Sequence, residues 1–240
     1  MDLPLLDPLY PLFPDPATAL SEPDGLLAAG GNLSVDTLLG AYRQGIFPWY
    51  EQGQPILWWS PNPRAVIVPN QLHISKSLAK TLRRGGYRIT TDQAFASVIK
   101  ACAEPRPEHL HRPDENHTWI SADMIAAYIR LFEAGHAHSV EYWLDDQLCG
   151  GLYGLAIGNV FCGESMFSRA SNASKIAFSH LAKGLENAGF VLIDCQLENN
   201  HLNSLGAQVM AREDFIAIIK DAAEITIDWP ASLISTKVNT

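Results

Sequence analysis

A carboxylate stands inside a stretch that otherwise has the pattern of a buried β-strand. The segment 161–168 reads Phe-Cys-Gly-Glu-Ser-Met-Phe-Ser, and side-chain alternation places Glu164 on one face with Cys162 and Met166. Burying an unpaired charge is costly or shifts its pKa. An acid at this position therefore either is satisfied by backbone N–H groups or an Arg, or has a chemical role. The sequence leaves both interpretations open.

A second acidic residue ends another apolar segment. The segment 190–196 reads Phe-Val-Leu-Ile-Asp-Cys-Gln, in which Asp194 and Gln196 share one face. Polar residues at the carboxyl end of a buried strand are typical of sites in α/β-type sheets. If the two segments are neighbouring strands, Glu164, Asp194 and Gln196 line one cleft that can hold a cationic amine and orient its attack. An ordinary turn or capping role for Asp194 is the alternative.

Apolar residues recur at helical spacing between these two segments. Phe178, Leu181 and Leu185 lie at i, i+3 and i+7, on one face of a helix. An enzyme that transfers an acyl group needs an apolar pocket for it, although such a stripe is more often plain core. The predicted lining of this pocket is Leu152, Phe161, Phe178, Leu181, Leu185 and Ile193.

The net charge of −9 conceals a basic segment. Residues 1–60 carry a net charge of −6, whereas residues 61–106 hold eight Lys or Arg and two Asp or Glu, a net charge of +6. Within the basic segment, positions i, i+4, i+7 and i+8 of a predicted helix gather positive charge on one face, where it can bind phosphates. A solvated helix face is the alternative. The residues are Lys76, Lys80, Arg83 and Arg84.

Composition sets the broad class. The chain has 240 residues with 47% apolar content, which is enough to bury a sizeable core. No apolar run approaches the roughly 20 residues that cross a bilayer, and the start of the chain lacks the features of a signal peptide. These observations predict a cytoplasmic protein with no membrane partner. The four cysteines form no C-x-x-C pair and are expected to be reduced, although Cys195 with His201 is a weak nucleophile candidate.

Two histidine pairs have the spacing that can chelate zinc on a strand. They are His109 with His111 and His136 with His138. No third ligand with a familiar spacing accompanies either pair, so we predict no metal site.

The order of predicted elements indicates an α+β protein in two domains. Residues 1–64 are proline-rich, contain one clear helix at 34–44 and form a small, loop-rich N-terminal domain. Residues 65–240 hold an antiparallel meander over 139–167, a long helix over 172–187 and a further strand. This order resembles the fold of the Gcn5-related N-acetyltransferases (GNAT), so we expect a GNAT-like acyltransferase domain with a mixed, mostly antiparallel sheet.

One loop differs from that family. Gcn5-related enzymes hold the coenzyme A pyrophosphate on an Arg/Gln-x-x-Gly-x-Gly/Ala loop after their fourth strand. The equivalent segment here, 168–175, reads Ser-Arg-Ala-Ser-Asn-Ala-Ser-Lys and has no glycine that would let the backbone approach a pyrophosphate. The fold thus suggests acyl transfer while the loop argues against an acyl-CoA donor, and we expect no cofactor. A coenzyme A-dependent N-acetyltransferase is the alternative function, and a non-catalytic RNA-binding module is a third.

Several long motifs resemble the bacterial leucyl/phenylalanyl-tRNA–protein transferase family over about residues 20–215. The segments are 25–33, 45–49, 58–64, 118–120, 135–141, 161–168 and 193–196. The resemblance implies transfer of Leu or Phe, and Met less well, from aminoacyl-tRNA to the N-terminal Arg or Lys of a protein, which marks that protein for degradation in the N-degron pathway. A monomer is expected.

The resemblance also implies roles for particular residues. Trp49 and Trp119 would flank the terminal adenosine, the basic helix would bind the acceptor stem, and the predicted pocket would receive the amino-acid side chain. Glu164, Asp194 and Gln196 would form the reaction centre. An α-amine has a pKa of about 7.7–8.0, so a strong base is unnecessary and Asp194 can act by orienting the amine, directly or through Gln196. On the sequence alone we expect Asp194→Ala to lose most transfer while folding normally.

Two positions depart from the family pattern within the predicted pocket. Leu152 stands where we expect Met, and Leu181 where we expect Phe. Both residues keep the pocket apolar, but a change in its depth would alter the preference between Leu and Phe.

Overall fold

The described part of the chain is built on two β-sheets. A computed structural model describes residues 3–105 and 118–230. The pair His109 and His111 and most of the loop before residue 118 lie outside the described residues.

The smaller sheet lies in the N-terminal part. Its described strands are β1 Leu5–Leu6, β2 Leu26–Gly30, β3 Phe47–Pro48 and β4 Leu57–Trp59. They have the order β1-β2-β4-β3, and the β1–β2 pair is parallel. The sequence predicted loops here because strands of two to five residues are too short to display a period of two. Helix α1, Val35–Tyr42, begins after Ser34, whose side chain accepts a hydrogen bond from the Thr37 amide as expected of an N-cap.

The larger sheet carries the candidate site. Its strands are β5 Arg64–Ile67, β6 Arg88–Thr91, β7 Ala137–Leu144, β8 Gln147–Ile157, β9 Val160–Ser168, β10 Leu192–Gln196 and β11 Gln208–Met210. The order is β11-β5-β10-β9-β8-β7-β6. The β9–β10 pair is parallel, and the other described pairs of this sheet are antiparallel. The expectation of a mixed, mostly antiparallel sheet is confirmed.

Helices cover both faces of the larger sheet. They are α2 Lys76–Arg84, α3 Phe95–Cys102, α4 Ala122–Glu133, α5 Ala173–Ala188, α6 Asn200–Asn203 and α7 Arg212–Ala223, with 3₁₀ turns at Pro16–Thr18 and Pro69–Gln71. The side chains of Ser75 and Ser121 cap the N-termini of α2 and α4. Helix α5 connects the parallel strands β9 and β10, which is the crossover that a parallel pair requires.

Buried side chains form two clusters. The first core combines residues of the N-terminal part, such as Tyr42 and Trp58, with Tyr128 of α4 and Phe215 of α7. The second core contains the apolar face of α5 and side chains of β5, β7, β8, β9 and β10. Because the first core includes residues from both predicted domains, the two parts share a hydrophobic interior. The boundary at residue 64 stays a prediction.

A β-bulge interrupts β9 at Glu164. Tyr153 of β8 lies opposite Ser165, and the next residue, Gly154, lies opposite Gly163. Glu164 is therefore an extra residue with no counterpart on β8. A bulge bends the strand and redirects a side chain, and such irregularities are common beside active sites.

The bulge corrects a sequence prediction. Alternation placed Cys162, Glu164 and Met166 on one face of the strand. In the structure Cys162 belongs to the first core, whereas Met166 packs against the second. Phe161 lies in the second core and Phe167 in the first, although an even separation should put them on the same face. The extra residue reverses the alternation, so the prediction of one shared face is wrong.

Candidate active site

Two tyrosines hold the Glu164 carboxylate. The Tyr42 hydroxyl of α1 donates to Oε1 at 2.6 Å, and the Tyr128 hydroxyl of α4 donates to Oε2 at 3.0 Å. The two hydroxyl oxygens lie 2.5 Å apart. Helices from both parts of the chain thus fix the position of this acid.

The surroundings of Glu164 favour its neutral form. Burial raises the pKa of Glu164 to about 7, even though the hydrogen bonds from Tyr42 and Tyr128 lower it, and Asp194 adds a further upward contribution. Burial and the nearby Glu164 raise the pKa of each tyrosine well above its usual value, so both hydroxyls stay protonated donors. Glu164 therefore exchanges between acid and carboxylate near neutral pH.

Asp194 has a charged partner. The Arg64 Nε donates to Oδ1 at 2.8 Å and Nη2 donates to Oδ2 at 2.7 Å, a bidentate pair with both side chains buried. The guanidinium lies 4.9 Å from the centre of the Phe47 ring and 4.5 Å from that of Phe215, and its Nη1 donates to the Gly45 carbonyl. Burial lowers the pKa of Arg64, but Asp194 outweighs this effect and raises it. The Arg64 guanidinium therefore stays protonated beside Asp194.

Gln196 connects Asp194 to the surface. Its amide N–H donates to Asp194 Oδ1 at 3.0 Å, and its side-chain Nε2 donates to Oδ2 at 3.3 Å. A backbone φ of 57°, where β10 bulges against β5, permits both contacts. Asp194 is not exposed, whereas Gln196 is partly exposed. Gln196 is therefore the more accessible of the two side chains.

Strands β9 and β10 separate beside these residues. They pair only over Val160–Cys162 and Leu192–Asp194, after which β10 shifts toward β5 while β9 continues to Ser168. Glu164 and Gln196 follow the last paired positions on the two strands, and we call the region beyond those positions the wedge. The sequence-based condition that the two acidic segments are neighbouring strands is confirmed, and Asp194 is close enough to raise the pKa of Glu164.

The predicted pocket residues come together on the other face of the sheet. They belong to the second core with α5, whereas Tyr42 and Tyr128 belong to the first. Each of them is at most 3% exposed, so they pack against their neighbours as core residues do. Their role as a pocket stays a prediction.

The two predicted stacking tryptophans lie in adjacent segments. Trp49 is 41% exposed and its ring centre is 5.5 Å from that of Trp59. Trp119 is partly buried against the first core. The side chains of Tyr50 and Ser121 form a hydrogen bond that joins the two segments, and Tyr50 lines a depression of about 450 Å³. That Trp49 and Trp119 flank an adenosine stays a prediction.

The basic residues of α2 are all exposed, namely Lys76, Lys80, Arg83 and Arg84. Leu78, on the other side of this helix, is buried in the second core. The helix is therefore amphipathic, with a positive outer face.

The remaining sequence candidates have structural surroundings of their own. Burial raises the pKa of the Cys195 thiol far above its usual value, which disfavours the thiolate that a nucleophile needs. His138 Nδ1 lies 2.8 Å from Asp92 Oδ2.

Within 3–105 and 118–230, no group of three or more His, Cys, Asp or Glu is arranged to hold a metal ion. No helix in these residues is long and apolar enough to span a bilayer.

Sequence reasoning missed three residues that hold the two acids. Tyr42 and Tyr128 lie 122 and 36 positions from Glu164. Arg64 lies 130 positions from Asp194, and its place at the end of a distinctive Trp-Trp-Ser-Pro-Asn-Pro-Arg segment was the one available signal. Contacts at such separations leave no local pattern.

The structure is that of an α+β protein whose larger sheet carries two acids, the partly exposed Glu164 and the buried Asp194. Residues 66–220 match the family described as leucyl/phenylalanyl-tRNA protein transferase, and residues 31–62 match its N-terminal domain. The chain belongs to this family, which is one of aminoacyltransferases, and the resemblance inferred from the motifs is confirmed.

Named relatives agree with this membership over most of their length. The leucyl/phenylalanyl-tRNA–protein transferase of Pseudomonas syringae pv. syringae (strain B728a) is 60% identical over 203 residues, 85% of this chain and 86% of that protein. The protein of the same name from Cellvibrio japonicus (strain Ueda107) is 52% identical over 228 residues, which are 95% of this chain and 94% of that protein. Among solved structures, a conserved protein of unknown function from Bacteroides thetaiotaomicron VPI-5482 aligns with a TM-score of 0.39 at 10% identity, over 69% of this chain and 56% of that chain, a likeness too low to carry an argument.

Proposed function

We propose that this protein transfers Leu or Phe, and Met less well, from aminoacyl-tRNA to the N-terminal Arg or Lys of an acceptor protein, which marks that protein for degradation in the N-degron pathway. The observation that carries the proposal is the wedge between β9 and β10. It has the titrating acid Glu164 on one side and the anchored amide Gln196 on the other. We also infer that the protein acts as a monomer in the cytoplasm.

The reaction converts an ester into an amide. The α-amine nitrogen of the acceptor attacks the ester carbonyl carbon, a C–N bond forms, and the ester C–O bond to the tRNA ribose breaks. The amine loses a proton and the departing ribose oxygen gains one. Because an α-amine has a pKa of about 7.7–8.0, a useful fraction is already neutral, and orientation contributes more than a strong base.

Gln196 is the residue proposed to orient the amine. Its Nε2 donates to Asp194, so its side-chain oxygen remains available to accept a hydrogen bond from the attacking amine. Asp194 in turn is fixed by the bidentate contact with Arg64. Asp194 thus acts as a positioning residue for Gln196.

Glu164 is proposed to attract the acceptor. Its carboxylate form would balance the positive charge of an N-terminal Arg or Lys, and Tyr42 and Tyr128 would keep its two oxygens in place. With a pKa of about 7, Glu164 is partly protonated at neutral pH, and its ionised fraction supplies negative charge to a cationic substrate.

The donor end completes the proposal. Trp49 and Trp119 would flank the terminal adenosine, and the basic face of α2 would bind acceptor-stem phosphates. The amino-acid side chain would enter the second core through the wedge and contact the predicted lining of Leu152, Phe161, Phe178, Leu181, Leu185 and Ile193.

Transfer of labelled Leu from Leu-tRNA to a peptide that begins with Arg tests the function. We expect label on this peptide, little on a matched peptide that begins with Gly, and none after digestion of the RNA. Gln196→Ala should lower kcat/KM about 100-fold, because an amide that contacts the reacting group is lost. Gln208→Ala, an exposed glutamine on the edge strand β11, is the matched control and should have no effect.

Label transfer that survives RNA digestion would reject the proposal. Acetyl transfer from acetyl-CoA to the same peptide would instead support the coenzyme A-dependent alternative. Equal activity of Gln196→Ala and the wild type would remove Gln196 from the reaction centre.

A further inference from the structure

The segment after α7 crosses one end of the larger sheet; we call residues 224–230 the C-terminal strap. The end of α7 and the start of the strap pass close to the β8–β9 turn: a Cβ on Gly158 would lie 1.7 Å from the Ala222 carbonyl oxygen of α7 and 3.1 Å from the Ile225 carbonyl oxygen of the strap. The strap ends beside β6, where the Trp229 Nε1 donates to the Thr91 hydroxyl at 2.9 Å. The strap is thus held at both of its ends.

The Trp229 indole packs against aromatic rings of the second core. It stacks on His138 with ring centres 4.1 Å apart and an interplanar angle of 7°. It lies 5.4 Å from the Phe161 ring and 6.2 Å from that of Phe190. His138 is itself held by Asp92, so the indole rests on a fixed surface.

Phe161 also contacts the backbone of β8. A Cβ on Gly154 would lie 2.6 Å from Phe161 Cζ, so the ring occupies the space that the missing side chain leaves. Phe161 is fully buried. Gly154 and Trp229 both contact the ring, so a change in its orientation requires one of these neighbours to give way.

We propose that Trp229 sets the depth of the aminoacyl pocket by holding Phe161 in place, and is thereby a specificity-determining positioning residue. The proposal rests on the proposed function, since it takes Phe161 as part of the pocket lining. It assigns to the C-terminal strap a role in choosing between Leu and Phe. Removal of the indole would let the Phe161 ring move toward the strap, which deepens the pocket and favours the larger side chain.

Donor selectivity tests this role. We measure kcat/KM for Leu-tRNA and for Phe-tRNA with one Arg-peptide acceptor. For Trp229→Leu we expect the ratio of kcat/KM for Phe-tRNA to kcat/KM for Leu-tRNA to rise about three- to tenfold, because a deeper apolar pocket favours the larger side chain by a modest factor. Trp229→Phe keeps a ring and should give a smaller rise in the same direction. The control is Trp143→Leu, since Trp143 is a partly buried β7 tryptophan that donates to Thr90; it should leave the ratio unchanged.

The outcomes separate the two proposals. The role of Trp229 would be overturned if folded Trp229→Leu had the wild-type ratio of kcat/KM for Phe-tRNA to kcat/KM for Leu-tRNA, or lost kcat/KM equally with both donors. Transfer by the wild type would still uphold the function in that case. Absence of transfer by the wild type would reject the function itself. If circular dichroism shows that Trp229→Leu does not fold, the same ratio of kcat/KM is measured for Trp229→Phe. A rise in this ratio supports the proposal, and an unchanged ratio overturns it.

Discussion

Two acids close to the parallel strand pair have partners of different charge. Asp194 faces the guanidinium of Arg64, whereas Glu164 faces two neutral hydroxyls, those of Tyr42 and Tyr128. Burial raises the pKa of Glu164 to about 7 although the two hydroxyls lower it, whereas Asp194 has the bidentate guanidinium as its partner. The residues of the site therefore divide into an ion-paired anchor and a titrating group, a division typical of catalytic sites.

The acceptor KM should depend on pH through Glu164. Its pKa of about 7 means that the carboxylate population increases as pH rises from about 6 to 8, so attraction of the cationic acceptor increases and KM for an Arg-peptide should fall several-fold. Steady-state kinetics across this range measure the effect. In Glu164→Gln the fall in KM should disappear, while the dependence of kcat on the amine itself, with a pKa of about 7.7–8.0, should remain.

An inflection in KM near pH 7 that persists in Glu164→Gln would assign it to another group and reject this role. Glu133→Gln, at the end of α4 and exposed, is a control for the loss of one negative charge.

Single residues show which parts of the site can be predicted from the sequence. Glu164 and Asp194 were identified because an acid in an apolar strand contradicts its surroundings, and that contradiction is visible locally. Their partners were not identified, since Arg64 pairs with Asp194 across 130 positions and each partner looks ordinary in its own segment. Local chemistry thus predicted the acids but not what holds them.

Long elements were predicted better than interruptions within them. The long helix predicted over 172–187 is α5, Ala173–Ala188. The bulges at Glu164 and before Gln196 were missed, because one inserted residue changes the register without changing the composition. These bulges decide which face each site residue occupies, so the sequence predicted the strands of the site but not its geometry.

Helix α2 should contribute salt-dependent binding of tRNA. Lys80→Glu combined with Arg83→Glu places two negative charges on its exposed face and should weaken binding at low salt. If both residues contact phosphates, the slope of log K against log salt should become shallower by about 1.5. The matched control is Lys183→Glu with Lys220→Glu, which changes the net charge equally on exposed faces of α5 and α7. Equal weakening by both double variants would indicate a general effect of net charge and reject a site on α2.

The ion pair of Arg64 and Asp194 joins distant parts of the molecule. The guanidinium contacts Gly45 and Phe47 of the N-terminal part, Phe215 of α7, and β10 through Asp194. All of these surround the first core, which both predicted domains share. The site and the stability of the whole fold thus depend on the same contact, and the expectation that Asp194→Ala folds normally conflicts with this burial.

Asp194→Ala should destabilise the entire protein, because it leaves the Arg64 guanidinium buried without its partner. We expect the free energy of unfolding to fall by about 3–5 kcal/mol. Urea denaturation followed by tryptophan fluorescence and by circular dichroism measures this loss, and both signals should shift together since the core is shared. Asp146→Ala, which removes the exposed partner of Arg88, should leave the midpoint unchanged. Replacing the pair together, with Arg64→Met and Asp194→Leu, should recover much of the stability. If the urea midpoint of Asp194→Ala equals that of the wild type, the ion pair does not stabilise the fold, and its contribution is limited to the reaction.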